Sequence, residues 1–191
     1  MKTTKLLLIP AIALLSIGGC KSKKKTVQQT TGSVEITLPF SSKEYRSDEN
    51  YYRAKNVGKS PDLATSKKIA MQNATNELAD AIQTMIKKVT DQYTNQRTVG
   101  KDQEFENKFE ELARQVTSQT MNNIRVKDEK TFMEPDGKYT YWVAVEADKK
   151  EVFKNMDTRI SGDSKLKLDY DKQKFQNIFD EEMKKLANEG K

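Results

Sequence analysis

An apolar run from Leu6 to Ile17 follows a short segment bearing Lys2 and Lys5, and it ends in Gly18, Gly19 and Cys20, the only cysteine of the 191 residues. The run is shorter than the roughly 20 residues a membrane-spanning helix needs and has the length of a signal-peptide core. Residues 1–19 are therefore expected to be a leader that is cut off rather than folded. With a single cysteine in the chain, no intramolecular disulfide can form. From Ser33 to Lys191 there is chain enough for one domain of ordinary size, which buries about two-thirds of its unfolded surface. Hydrophobic patterning alone has to specify that domain.

Leu15-Ser16-Ile17-Gly18-Gly19-Cys20 resembles the bacterial lipoprotein signal, with small residues directly before the cysteine. The resemblance implies cleavage before Cys20, diacylglycerol on its thiol and acylation of the new amino terminus. The alternative is an ordinary secretory signal that happens to precede a cysteine. One acyl chain holds a protein weakly, whereas two or more hold it stably, so a multiply acylated Cys20 is a lasting anchor. Lys21 to Gly32 is rich in Lys, Ser, Thr and Gln and carries one apolar residue, Val27. Residues 20–33 are thus expected to be the lipidated cysteine and a flexible tether, and 34–191 the domain.

Within the domain, Val34-Glu35-Ile36-Thr37-Leu38 alternates apolar and polar residues up to Pro39, which predicts a short half-buried strand. Tyr51 to Gly58 predicts a second extended segment. Ser60-Pro61-Asp62 predicts a helix start, with Ser60 as the capping hydroxyl, Pro61 at the first helical position and Asp62 facing the helix dipole. Ala70, Ala74, Leu78, Ala81, Ile82, Met85, Ile86 and Val89 then fall on one stripe of a long helix, whose early alanines allow close approach to a sheet. A break between Thr94 and Lys101, containing Gly100, ends it. Asp102 is placed to cap a second helix carrying Phe105, Phe109, Leu112 and Val116.

Ile124 to Met133 and Lys138 to Ala147 predict two strands joined by the turn Glu134-Pro135-Asp136-Gly137. Tyr139, Tyr141, Val143 and Val145 share one face of the second arm and Trp142 and Ala144 the other, as expected of an interior strand. Asp148 and Glu151 form a capping-box-like pair before a short helix through Val152, Phe153 and Met156. Ser161-Gly162-Asp163 marks a loop, and Asp171 to Asn188 a last amphipathic helix with Phe175, Ile178, Phe179, Met183 and Leu186. The order predicts an α+β domain in which amphipathic helices cover an antiparallel sheet.

The 34 basic and 28 acidic residues give a net charge of +6, which becomes +4 when Lys2 and Lys5 leave with the leader. Lys21, Lys23, Lys24 and Lys25 crowd the tether, where each attracts anionic headgroups by about 1 kcal/mol. The domain itself is close to neutral, so nucleic-acid binding has little electrostatic support. Histidine is absent, which removes the common zinc sites, the Ser-His-Asp triad and the Cys-His dyad in their usual forms.

Gly58-Lys59-Ser60 has the tail of a phosphate loop, but Arg53 stands where that loop needs its first glycine, so these residues read as a turn and a cap. Glu77, Asp80 and Asp91 read as solvent-facing charges. Asp128, Glu129, Glu134 and Asp136 surround the hairpin turn without the ordered ligand loop of a strong calcium site, and no metal or cofactor is expected. Carboxylates alone suffice for a glycosidase, yet nothing in the sequence fixes a pair. Tyr51, Tyr52, Tyr139, Tyr141 and Trp142 are the candidate binding surface, as a ring platform for glycan or protein; the alternative is core packing with hydroxyls at the sheet edge.

The stretch Tyr52-Arg53-Ala54-Lys55-Asn56-Val57-Gly58-Lys59-Ser60-Pro61-Asp62-Leu63-Ala64, continuing through Lys68-Ile69-Ala70-Met71-Gln72-Asn73-Ala74, resembles the lipoprotein-20 family of bacterial outer-membrane lipoproteins. Tyr139-Thr140-Tyr141-Trp142-Val143-Ala144-Val145 is similar to that family's second recurring strand. The resemblance covers most of Tyr51 to Met156 and implies a small α+β domain at the periplasm or cell surface without an established enzymatic role. Lys21 after the anchor is compatible with outer-membrane sorting. The expectation is a non-catalytic, lipid-anchored outer-membrane protein that binds an envelope protein or cell-wall partner, with homo-oligomers compatible; the alternative is a module binding peptidoglycan or surface glycan.

Overall fold

The computed structural model describes residues 33, 35–96, 103–164 and 166–189. The leader, Cys20, the tether, Val34, Gly100 and Asp102 lie outside the described residues, as does the Phe105 side chain. From Thr37 onward the elements are β1 (Tyr51–Ser60), α1 (Leu63–Asn95), α2 (Gln103–Met121), β2 (Arg125–Met133), β3 (Tyr139–Asp148), α3 (Lys149–Gly162) and α4 (Lys172–Glu189). Short 3-10 turns stand at Lys43–Tyr45 and Leu166–Asp169.

β3 is the central strand of an antiparallel sheet ordered β1-β3-β2. Its alternation explains that place. Val143 and Val145 are fully buried on one face while Ala144, at 1% exposure, is buried on the other. Tyr52 pairs with Ala147 and Val57 with Trp142 on one side, and Lys130 pairs with Trp142 on the other. The expected turn joins the hairpin: Glu134 N–H donates to Lys138 O at 2.8 Å, and Gly137 takes φ +79°, a conformation glycine adopts without strain. An irregularity between Val126 and Asp128 puts an extra residue, Lys127, into β2.

α1 begins two residues later than expected. Asp62 is its N-cap, with a carboxylate oxygen accepting from Thr65 N–H at 2.7 Å. Ser60 is instead the last residue of β1, held in register with Tyr139, and its hydroxyl accepts from Asp62 N–H. The ladder keeps Ser60 extended, which leaves the cap to the next suitable oxygen. At 1.5 Å per residue the 33 residues of α1 run about 50 Å, against about 33 Å for a ten-residue strand. The first half therefore lies on β1 and β3, and the second half continues past the sheet to meet α2 and α4.

The alanines and one glycine set the contact between helix and sheet. Ala70 and Ala74 are fully buried, and a Cβ at Gly58 would stand 2.1 Å from the Ser66 carbonyl oxygen and 2.6 Å from the Ala70 nitrogen. Ala81 departs from the expected stripe and is exposed. The buried line advances by fours through Ala70, Ala74, Leu78 and Ile82, which leaves Ala81 on its margin. Beyond the sheet, Ile86, Val89 and Tyr93 of α1 share a core with Val116, Met156, Ile160, Phe175, Phe179 and Met183. Tyr93 meets the Phe175 ring edge-on at 5.3 Å.

Asp148 caps α3 as expected, accepting from Lys150 and Glu151 N–H, while the Glu151 side chain takes the Asn123 amide instead of closing the box. α3 is longer than expected and includes Ser161 and Gly162; Asp163 is its C-cap. The larger departure is at the start of the domain. Glu35 to Leu38 form no strand, and Ile36 and Leu38 are 74% and 54% exposed. A strand needs a free edge, and the next segment occupies part of the β1 edge: Ser47 Oγ bonds both N–H and C=O of Arg53, and Asp48 N–H donates to Tyr51 O.

Candidate functional site

Neighbouring residues of a strand point to opposite faces, so Tyr51 and Tyr52, or Tyr141 and Trp142, cannot share one. Even-numbered residues of β1 and odd-numbered residues of β3 face α1. Tyr52 is fully buried there, its hydroxyl has no protein partner, and burial pushes its phenol well above the ordinary range. Tyr141 is buried on the same face and donates its hydroxyl to the Glu129 carboxylate, with the Lys67 ammonium 5.3 Å from its ring centre. Tyr139 is half-buried beyond it. Tyr51 and Trp142 take the opposite face, but Tyr51 pairs with Asp148 and Trp142 with Val57. That is six residues of strand, about 20 Å. The five rings form no single platform, and Tyr52 and Tyr141 belong to the core.

The face away from α1 is instead crossed by a strap, Phe40 to Asp48, that sequence reasoning missed. Lys55, Ala144 and Asp128 lie in register across the three strands. Lys55 Nζ donates to Phe40 O at one side, and Tyr45 Oη donates to Asp128 Oδ2 at the other. The strap thus passes over Ala144, which explains that residue's burial. Phe40 is 3% exposed, takes φ +60°, and its ring centre lies 4.7 Å from that of Tyr45. The hydrogen bond to Asp128 raises the Tyr45 phenol to about 12.

Arg53 ties the strap's far end to the sheet. Its guanidinium donates to Glu146 Oε2 at 3.0 Å, to Asp48 Oδ2 at 2.5 Å and to Arg46 O at 2.8 Å. Burial pushes the Asp48 carboxyl up, but hydrogen bonds from Arg53 and from Asn50 and Tyr51 N–H outweigh it and hold the group below the usual carboxylate range. Two guanidinium groups lie near the Tyr51 ring, Arg53 at 5.1 Å and Arg125 at 5.5 Å from its centre. A faint signal for this arrangement was present: Asp48-Glu49-Asn50 before a strand is an Asx-turn sequence.

The acidic residues near the hairpin disperse. Asp128 serves Tyr45, and Glu129 serves Tyr141 and Lys67. Glu134 accepts from Thr140, and Asp136 from Lys138. Among the described residues no three His, Cys, Asp or Glu side chains gather as a metal site. Glu77, Asp80 and Asp91 are exposed, Glu77 accepting from the Asn56 amide. Gly58, Lys59 and Ser60 all lie inside β1, with no loop to cradle a phosphate. Glu182 is the one buried carboxylate among the described residues, at 5% exposure, and it accepts from Gln92 and Lys185. A groove of about 590 Å³ between α1 and α2 is lined by Ile86, Lys87, Thr90, Phe109 and Arg114 among others.

β2 stands apart from the rest of the sheet. Every residue of it except Asp128 is exposed, including Val126 at 47%, Phe132 at 45% and Met133 at 74%. No helix among the described residues is long and apolar enough to cross a membrane. No protein-family model matches the chain, and no curated protein matches it.

Proposed function

We propose that this chain is a lipid-anchored outer-membrane protein whose 34–191 domain, facing the periplasm or the cell surface, binds an envelope partner without catalysing a reaction. The observation that carries this is Gly18-Gly19-Cys20 at the end of a short apolar core, with the chain's only cysteine where a lipoprotein signal needs it. Support also comes from the way the domain uses its polar groups. Asp128 holds the strap through Tyr45, Glu146 holds Arg53, and Glu129 holds the Tyr141 hydroxyl and Lys67, so these carboxylates of the sheet serve structural contacts. The glycan-binding alternative needed a joined ring surface, and the rings are divided between two faces.

The anchor is tested by growing cells that produce the full chain or Cys20→Ala with labelled palmitate. Label on the wild type alone, together with membrane release of the variant, is the expected result. A Cys20→Ala protein that stays membrane-bound while the wild type carries no label overturns the proposal. In-cell crosslinking of the wild type followed by mass spectrometry then identifies what the domain holds. One enriched envelope protein is expected; recovery of wall fragments alone favours the glycan alternative.

A further inference from the structure

β2 is an edge strand of the sheet, and the hydrogen-bond pattern tells which of its residues turn away from β3. On β1, Tyr51 and Arg53 turn their backbone groups outward to Asp48 and Ser47, and Val57 O turns outward to the Asn73 amide. The even-numbered residues of β1 therefore bond to β3, and in an antiparallel ladder this alternation carries across the sheet. Thr140, Trp142 and Ala144 of β3 bond to Phe132, Lys130 and Asp128 of β2, with which they are in register. Glu129, Thr131 and Met133 are left with their backbone groups directed outward. Glu129 N–H is turned to the Asp128 carboxylate, and no other described group meets this edge. The β1 edge, by contrast, is capped at three of its residues.

We infer that the β2 edge is where two copies of this chain pair, antiparallel about Glu129, into one continuous six-stranded sheet. The side chains of β2 are self-complementary in that register. Asp128 of each copy stands opposite Lys130 of the other, on the close, non-hydrogen-bonded rungs where side chains interact most directly. Glu129 meets its own counterpart on the α1 side, but each of these carboxylates is already matched by Lys67, 3.4 Å away, and by the Tyr141 hydroxyl within its own copy. Centring the pair on Lys130 sets lysine against lysine and leaves Asp128 facing Phe132. Centring it on Asp128 sets aspartate against aspartate. Among the registers centred on Asp128, Glu129 and Lys130, the charges of this edge therefore favour the one about Glu129.

The test is a disulfide scan on the full chain, purified in mild detergent and oxidised, with the parent chain as the control for Cys20. A residue on the two-fold meets its counterpart at about 5.5 Å between Cα atoms, within the range a disulfide spans. Met133, four residues away on each strand, meets its counterpart at about 27 Å. Glu129→Cys is thus expected to give a covalent dimer in about tenfold greater yield than Met133→Cys, with the parent chain giving none. Adding Lys130→Asp to Glu129→Cys lowers that yield about tenfold, and adding Asp128→Lys as well restores it. The inference is overturned by equal trapping at 129 and 133, by no Glu129→Cys dimer in a variant whose circular dichroism is native, or by loss on Lys130→Asp that the second charge change does not repair.

Discussion

Gly58 is the tightest point between helix and sheet, and replacing it by alanine tests whether α1 lies on β1 as closely as described. The new Cβ would stand 2.1 Å from Ser66 O, 2.6 Å from Ala70 N and 2.9 Å from Ile69 Cβ. Non-bonded heavy atoms rest at about 3.5–4.0 Å. Two of the three obstacles are backbone, so no side chain can swing away, and α1 must retreat from the strand by about 1 Å or more. Overpacking of this kind costs about 1–3 kcal/mol, and backbone obstacles place Gly58→Ala at the upper end. The lower entropy of the unfolded chain returns about 0.4–1 kcal/mol. A net loss of about 2 kcal/mol follows, or roughly 4–8 °C in Tm for a domain of this size. The assay is thermal and urea unfolding followed by circular dichroism, with Gly162→Ala as the control. Gly162 closes α3, and a Cβ there meets nothing within 4 Å. That variant should match the wild type or exceed it by up to about 1 kcal/mol. A Gly58→Ala protein as stable as Gly162→Ala would falsify the packing described here.

Tyr52→Phe removes a fully buried hydroxyl that has no protein partner, so stability should be unchanged or rise by up to about 1 kcal/mol in urea unfolding. A loss above about 1 kcal/mol would mean that the hydroxyl is satisfied in solution. Asp48 carries the pH prediction: its folded carboxyl lies below the ordinary value, so its contribution is present above about pH 4 and lost as pH falls through the folded value. Asp48→Asn should therefore be less stable than the wild type at neutral pH, and the gap between their urea midpoints should close as pH falls from the ordinary carboxylate value through the lower folded one. A gap that is constant with pH refutes the charged contact with Arg53.

The parts of the fold legible in the sequence were those that two periodicities determine. Ala70, Ala74, Leu78 and Ile82 mark the buried side of α1 by spacing alone, and the alternation through Tyr141 to Ala147 marks β3 as an interior strand with both faces covered. Periodicity says nothing, however, about which edge is free. Val34 to Leu38 has a strand's pattern, yet the edge beside β1 is met by Ser47 and Asp48, whose short polar side chains bond the backbone without any alternation to betray them. The candidate site fared similarly. Aromatic composition suggested a platform, but the parity of Tyr51 against Tyr52 already divides it between faces. Phe40, Tyr45 and Arg53 escaped notice because their partners are distant in the chain, Tyr45 reaching Asp128 and Arg53 reaching Glu146.

The path of the chain also explains why β2 is the exposed strand among the described residues. α1 covers β1 and β3, and its second half leaves the sheet behind. α2 follows α1 and packs against that second half and α3, so the chain enters β2 directly from a helix that lies beyond the sheet. The strap reaches the other face of β2 only at Asp128 and its neighbours, where Lys127 and Lys130 ammonium groups lie over the Tyr45 and Phe40 rings. A strand so placed gains little from burial. It is held by the ladder to β3, by Tyr45 to Asp128 and the two lysine–ring contacts on one face, and by Lys67 and Tyr141 to Glu129 on the other. Those contacts fix the directions of Asp128 and Glu129 before any partner arrives, which lowers the entropy lost when another strand joins. The same two residues are the ones that select the register of pairing, so the contacts that hold β2 in the single copy also prepare its edge for the second.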